Sequence, residues 1–360
     1  MKRKVLIFIW IAIVVILAVP ITNLALGNIK KTDKWWRQSV IYNMDFALPW
    51  ITRLVYPLGI SLFPNQTIIG FDNWLYLGDL YALTITAKRN GSTEADHKTA
   101  QKIGVALSAW DEWLHKHGVT AFKIMLGPDK ETIYPEFLPN WARPAVPSPT
   151  DTLMKHVEGL YVDTRPALHQ AKTTYSAPLY YKTDTHWNKL GAWIAFRTFT
   201  NELSRTEKGQ WLTDKDVKIS ETKERGRGDL SSFLRVKKPL KDQEMAVEIL
   251  RPTSISVSQY DFETGKLISS TGNPHAGPIL SKSPNALNQK KVLWLRDSFG
   301  TAISPFMAAT FSETLQLHYG KATPERFAEL VQSYKPDYVF MTVVERDSRS
   351  AIFENPPIRN

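Results

Sequence analysis

The sequence predicts an α/β fold with a mostly parallel central sheet covered by helices on both faces. Two observations carry that expectation. Helical and strand patterns alternate along the chain, and the best strands are continuous apolar runs rather than alternating ones, as strands buried on both faces require. Val292-Leu293-Trp294-Leu295 and Tyr338-Val339-Phe340-Met341-Thr342-Val343-Val344 are the clearest of these runs. At 360 residues, 43% hydrophobic and 22% charged, the chain has the length and composition to bury a full core.

The elements follow in order. Lys2-Arg3-Lys4 precedes an apolar run from Val5 to Val19, broken at Pro20 and ending in Leu24-Ala25-Leu26-Gly27. Fifteen apolar residues fall short of the roughly 20 that a membrane span needs. Signal peptide and signal anchor both fit, with an uncleaved anchor favoured because Ala25-x-Gly27 lies well beyond the apolar run. The positive-inside rule places residue 28 onward outside the cytoplasm. The expected organisation is therefore 1–27 as signal anchor or signal peptide, 28–64 as a spacer and lead-in helix, and 65–360 as one α/β domain. Residues 28–64 are rich in aromatics and proline and show no clean period.

Ile68 to Gly78 reads as two short strands joined at Phe71-Asp72-Asn73, by turn chemistry. Ile103, Leu107, Trp110 and Leu114 recur at helical spacing, which predicts a helix over 98–118 stopped at Gly118 and followed by a strand from Val119 to Leu126. The loop Gly127 to Pro135 then sits at a strand's C-terminal end, where open α/β sheets place their ligands. A helix over 151–160 and a strand over 160–162 repeat the unit. Tyr180-Tyr181-Lys182 reads as a strand, and Leu190, Trp193, Ile194, Phe196, Phe199 and Leu203 line one side of the helix after Asn188. Residues 205–245 read as charged and loop-rich and 252–289 as polar with scattered glycine and proline, neither as a separate domain. The last third predicts strand 291–295, helix 300–311, strand 314–318, helix 323–334 and strand 337–344.

Composition narrows the chemistry. With no cysteine there are no disulfides, no thiolate nucleophile and no Cys-ligated metal. The formal charge is +10; removing Lys2, Arg3 and Lys4 leaves 10 − 3 = +7 on the exported part. Such a surface suits anionic lipid headgroups or an acidic polysaccharide, or simply keeps the domain soluble; export argues against nucleic acid. No phosphate-binding loop is present, so no nucleotide cofactor is expected.

One stretch concentrates reactive groups: Thr183-Asp184-Thr185-His186-Trp187-Asn188. In extended backbone, residues two apart project to the same side, so Asp184 can orient the His186 ring. The matching nucleophile is Ser298, in Arg296-Asp297-Ser298-Phe299-Gly300, where a buried strand runs into a new helix. There its hydroxyl stands at the sheet edge beside free helix N–H groups that suit an oxyanion. The bland alternatives are that Asp297 or Ser298 caps the helix and that His186 is a structural histidine. Acid, base and hydroxyl together are the three parts of an activated serine. His318 is the one substitute base. A metal on Asp184 and His186 is disfavoured for want of further ligands at suitable spacing, so none is expected.

Five segments in order, spanning roughly 65–345, resemble the alginate O-acetyltransferase family of AlgJ/AlgX type, a branch of the SGNH hydrolase superfamily. They are Gly70 to Leu77 with its Trp74-Leu75-Tyr76-Leu77 core; Pro128-Asp129-Lys130 with Ile133-Tyr134-Pro135-Glu136 and Leu138-Pro139; Thr183 to Asn188; Gly228-Asp229-Leu230; and Arg296-Asp297-Ser298-Phe299. The chain departs from ordinary SGNH enzymes in carrying Arg296 where they have Gly before the Asp-Ser pair. Its length, N-terminal anchor and lack of a further carbohydrate-binding module resemble the AlgJ branch more closely.

The resemblance implies a three-layer SGNH hydrolase-like domain in which Asp-x-His precedes Ser. It implies an acetyl-serine intermediate on Ser298, with His186 as base, Asp184 as its orienting acid, and the Ser298 N–H as oxyanion donor. It further implies transfer to hydroxyls of an exported polysaccharide, alginate or another such as cellulose. The acetyl supplier would be a membrane-bound O-acyltransferase, and the location the periplasm, anchored to the inner membrane. Lys130, Tyr134, Arg296 and Arg346 are the polar groups expected near the polymer. Two rival readings are a carbohydrate acetyl esterase with the same three residues and a non-catalytic polysaccharide-binding scaffold of a secretion complex.

Overall fold

The computed structural model describes residues 2–26, 34, 36–235, 240–251, 254–269 and 271–355, which fall into two compact units: 1–62 with 234–239, and 63–233 with 240–360. The first unit contains α1 (Lys2–Ala25), α2 (Gln38–Ile41) and α3 (Leu48–Val55). α1 continues past Pro20, where the apolar run is interrupted, to Ala25. Among the described residues α1 is the one helix long and apolar enough to cross a membrane, and a signal sequence would meet the same test.

In the second unit β1 (Thr67–Ile69) pairs antiparallel with β2 (Leu75–Leu77). The turn between them holds Asp72 and Asn73 at φ of 53° and 62°, the left-handed region that Asp and Asn tolerate. The chain continues through α4 (Thr84–Asn90), α5 (Glu94–Lys116), β3 (Ala121–Gly127), α6 (Lys130–Ile133), α7 (Pro149–Met154), β4 (Tyr161–Val162), α8 (Arg165–Thr174) and α9 (Lys189–Leu203). A two-stranded antiparallel ribbon follows, β5 (Val217–Arg225) with β6 (Asp242–Ile249), joined in part by α10 (Asp229–Phe233). Then come β7 (Ser258–Asp261), β8 (Ile279–Lys282), β9 (Asn288–Arg296), α11 (Gly300–Thr310), β10 (Phe311–Leu317), α12 (Pro324–Tyr334) and β11 (Tyr338–Val344).

The main sheet has seven strands in the order β4-β3-β11-β9-β10-β8-β7. The first five are parallel, and β8 and β7 close one edge in antiparallel pairing. This is the three-layer, mostly parallel α/β fold expected. Side chains alternate between two cores along each central strand, since successive residues point to opposite faces. From β9, Val292 and Trp294 join one core while Leu293 and Leu295 join the other; from β11, Tyr338 and Phe340 part in the same way from Val339 and Met341. The first core is closed by α9 and α11 through Trp193, Phe196, Phe199 and Phe306. The second is closed by α5 and α12 through Leu107, Trp110, Phe327 and Leu330.

The structure differs from the sequence reading at three places. Tyr180-Tyr181-Lys182 is not a strand: the segment is a turn closed by a single bridge between Tyr180 and Trp187. The loop-rich stretch 205–245 holds β5, α10 and the start of β6, and the polar stretch 252–289 holds β7 and β8. The helix α8 (Arg165–Thr174) has no counterpart in the sequence reading, since only Leu168 and Ala171 of its ten residues are buried.

Candidate active site

Parallel strands bring their C-terminal ends to one edge, and the site is built there. β9 ends at Arg296 and the chain turns through Asp297 and Ser298 into α11. Asp297 is buried; its Oδ1 accepts the Phe299 N–H at 2.9 Å and its Oδ2 the Val344 N–H at 2.7 Å. Asp297 thus pins the turn before α11 to the end of β11, no side chain caps the helix, and the Ser298 hydroxyl is left for another partner. Burial raises the Asp297 carboxyl to about 6, against the pull of those two N–H groups and of Arg346.

That partner comes from residues 181–188, a turn held by opposite charges on its two sides. The ammonium of Lys130, itself buried, donates to the carbonyls of Tyr181, Lys182 and Asp184 at 2.8, 3.1 and 2.6 Å. On the N–H side, the Asp242 carboxylate accepts from Lys182 at 2.5 Å and Thr183 at 3.2 Å. The Asp229 carboxylate accepts from the Thr185 N–H at 2.8 Å and the Thr185 hydroxyl at 2.6 Å. Asn188 ends the turn and starts α9, its side chain accepting the Gly191 N–H at 3.0 Å. The indole N–H of Trp187 donates to the Phe299 carbonyl at 3.0 Å, tying this turn to the serine turn.

The result is a continuous hydrogen-bonded row. Ser298 Oγ lies 2.7 Å from His186 Nε2, and His186 Nδ1 lies 2.6 Å from Asp184 Oδ1. A Nδ1–H donating to the carboxylate leaves Nε2 as acceptor for the serine proton. Burial alone would raise the Asp184 carboxyl, but the hydrogen bonds and charge from His186, with Arg225 nearby, lower it to about 2. It is an ionised partner for a ring that gains a proton. Such a row can take the hydroxyl proton as the oxygen attacks an acyl carbon and return it to a leaving group.

The row opens into a cavity of about 600 Å³. Its lining is mixed: Tyr181, Lys189, Arg225 and Asp229 are polar, while Val247 and Ile249 of β6 and Ala302, Pro305 and Phe306 of α11 are apolar. Arg225 packs its guanidinium 3.8 Å from the centre of the Tyr181 ring and 3.7 Å from Asp184 Oδ2. Arg225, Asp229 and Asp242 are site residues whose roles sequence reasoning missed. Asp229 stands in the Gly228-Asp229-Leu230 motif, Arg225 carries no signal beyond its place in a loop-rich stretch, and nothing in the sequence marks Asp242.

Asp184, His186 and Asp229 offer ligand atoms within 4.8 Å of one another, the spacing of a metal site. Their hydrogen bonds oppose that use. Both ring nitrogens of His186 are engaged, and both Asp229 oxygens already accept from Thr185.

The four residues expected near a polymer do not line the cavity. Lys130 is consumed by the carbonyls described above, and burial lowers its ammonium to about 8. Tyr134 accepts the Leu179 N–H at 2.9 Å and stacks on Trp74 with centroids 4.4 Å apart. Arg296 donates to Gln316 Oε1 at 2.9 Å, to the Asp297 carbonyl at 3.0 Å and to Thr301 Oγ1 at 3.2 Å. Arg346 pairs with Asp129 inside a buried ionic group. Lys130, Tyr134 and Arg296 are buried and Arg346 is half-buried, and each is engaged by protein groups behind the site. His318, the substitute base, stacks on His275 at 4.1 Å and lies outside the cavity lining.

Comparison with known proteins agrees with this architecture. Residues 67–276 match the family described as SGNH hydrolase-like domain, acetyltransferase AlgX. No curated protein sequence matches the chain. Among solved structures, PatB1 of Bacillus cereus with a sulfonyl adduct is similar at a TM-score of 0.57 and 17% identity, over 81% of this chain and 97% of that one. A DHHW family protein from Eubacterium siraeum is similar at a TM-score of 0.55 and 17% identity, over 83% of this chain and 98% of that one. At that identity the likeness is one of fold. The matches do not separate the AlgJ branch from the AlgX branch.

Proposed function

The chain belongs to the SGNH hydrolase-like family of AlgX-type acetyltransferases, and from that membership we propose that it is an O-acetyltransferase acting on an exported polysaccharide through an acetyl-serine. The observation that carries the reading is the row Ser298–His186–Asp184 at the mouth of the cavity, at 2.7 and 2.6 Å.

Ser298 Oγ attacks the acetyl carbonyl of the donor while His186 Nε2 takes its proton, and Asp184 holds the imidazolium. The tetrahedral oxyanion is met by the Ser298 N–H at the start of α11. Collapse expels the donor's leaving group, which receives the proton from His186, and leaves acetyl-Ser298. A sugar hydroxyl then attacks that ester; His186 takes its proton and hands it to Ser298 Oγ as the serine departs. The sugar leaves acetylated and the enzyme is restored.

Family likeness supports a membrane-bound O-acyltransferase as acetyl supplier, a periplasmic location, and residues 1–27 as an inner-membrane anchor ahead of a catalytic domain over 65–360. The polar lining around Arg225 suits the hydroxyls and charges of the acceptor, and the apolar lining residues suit its apolar faces.

The test uses the purified protein with an acetyl ester, with and without acceptor oligosaccharide. Mass spectrometry should find one acetyl group on Ser298, and a sulfonyl fluoride should label the same oxygen. Ser298→Ala and His186→Ala should both lose turnover. Wild-type turnover in both variants would overturn the assignment, and release of free acetate with no acetylated sugar would make the protein an esterase.

A further inference from the structure

The first unit carries an amphipathic helix turned inside out. In α3 and the 3-10 turn Tyr56–Leu58 that continues it, residues 50, 51, 54 and 58 share one side at helical spacing. Three of them are among the most exposed apolar residues of the chain: Trp50 at 60%, Leu54 at 76% and Leu58 at 71%. The residue turned inward is polar: Thr52 is 1% exposed. A surface helix of a soluble protein buries the opposite face.

Its position in the unit supplies the reason. Asn23, near the end of α1, is buried, and its side-chain amide donates to the carbonyls of Ile41 and Asn43 at 2.9 and 2.8 Å. The last turn of α1 is thereby clasped to the turn that leads into α3. A helix of 24 residues is about 36 Å long, enough to cross the roughly 30 Å hydrocarbon layer. Asn23 then lies at the far interface, and α3 begins 48 − 43 = 5 residues beyond its clasp.

We propose that α3 lies flat in the headgroup region of the leaflet where α1 ends, its Trp50–Leu54–Leu58 face against the acyl chains. The chain would then hold the bilayer twice, once by a spanning helix and once by a surface helix. The occupant is lipid because the Asn23 clasp holds the approach to α3 at the end of the spanning helix. The flanks of α3 also have interfacial chemistry: Arg53 exposed on it, and Trp36 and Arg37 on the approach to it. The inference rests on α1 being a retained anchor.

The absence of cysteine gives a direct test. Single cysteines are placed at Val14→Cys, Leu54→Cys and Val105→Cys in the full chain, labelled with an environment-sensitive fluorophore and reconstituted in phosphatidylcholine–phosphatidylglycerol vesicles containing a doxyl-lipid quencher. Val105, exposed on α5, is the aqueous reference. The Val14 and Leu54 probes should be quenched severalfold more than the Val105 probe. A Val14 probe that is not quenched overturns the anchor and this inference with it. A quenched Val14 probe beside a Leu54 probe that behaves like Val105 overturns this inference alone. Shielding of Leu54 only in native membranes, and not in pure lipid, would assign the face to a protein instead.

Discussion

Asp184 divides its oxygens, Oδ1 taking His186 at 2.6 Å and Oδ2 facing Arg225 at 3.7 Å. Asp184→Asn can keep the shape but not the charge that steadies an imidazolium, so turnover of an acetyl ester should fall about 10²–10⁴-fold with binding little changed. Lys130→Met would strand three carbonyls of the same turn. It should cost about 1–3 kcal/mol in urea unfolding and disturb turnover as well, because the carbonyl of Asp184 is one of the three. Asp184, His186 and Ser298 could be singled out in the sequence because the first two stand two residues apart and the third follows an unmistakable strand. The jobs of Lys130, Tyr134, Arg296 and Arg346 were not readable there. Whether a polar side chain faces a ligand or satisfies carbonyls behind it depends on groups far away in sequence: Lys130 meets its partners 51–54 positions later.

At the scale of elements, the turn of α10 approaches the Asp184 turn so closely that Gly228 has no room for a side chain: a Cβ there would collide with Asp184 Cβ and the Thr183 carbonyl. Gly228→Ala should therefore push Asp184 away from His186. Turnover should drop while the protein still folds, which circular dichroism alongside the ester assay would show. The central strands were legible because burial on both faces leaves continuous apolar runs. The β5–β6 ribbon was not, because its strands are half-exposed and read Val-Lys-Ile-Ser-Glu-Thr-Lys-Glu-Arg and Asp-Gln-Glu-Met-Ala-Val-Glu-Ile. Yet that ribbon brings Arg225, Asp242, Val247 and Ile249 to the site. The Tyr180 segment misled for the opposite reason: aromatic burial resembles a strand, but its backbone is committed to the turn that seats His186.

Over the whole molecule, the sheet edge under the site is braced by a buried ionic group. Lys88 Nζ reaches Asp129, Glu131 and Glu345 at 2.8, 2.9 and 3.2 Å, and Arg346 joins through Asp129. Lys88→Met leaves three carboxylates around a lost cation and should destabilise the protein by about 3–5 kcal/mol, read from the denaturant midpoint. Asp297 sets a pH dependence of the opposite kind from ordinary acid denaturation. Its carboxyl is raised by burial to about 6 in the folded state, above about 3.9 in the unfolded chain. The native state thus binds the proton more tightly. This contribution is fully present below about pH 4, declines as pH rises through 6, and is flat beyond. Unfolding midpoints measured from pH 4 to 7 should show that decline in the wild-type protein and a smaller one in Asp297→Asn. The order of strands has one more consequence. β11 follows every other strand of the main sheet along the chain, yet it sits between β3 and β9. Until β11 is made, no strand pairing joins the ribbon β4-β3 to the ribbon β9-β10, and α9, packed against β3, β4 and α11, is what spans them. Ser298 rides on one ribbon's end and His186 follows the other ribbon. The sheet is then completed by a keystone that arrives late, and the frame that sets Ser298 against His186 is finished last.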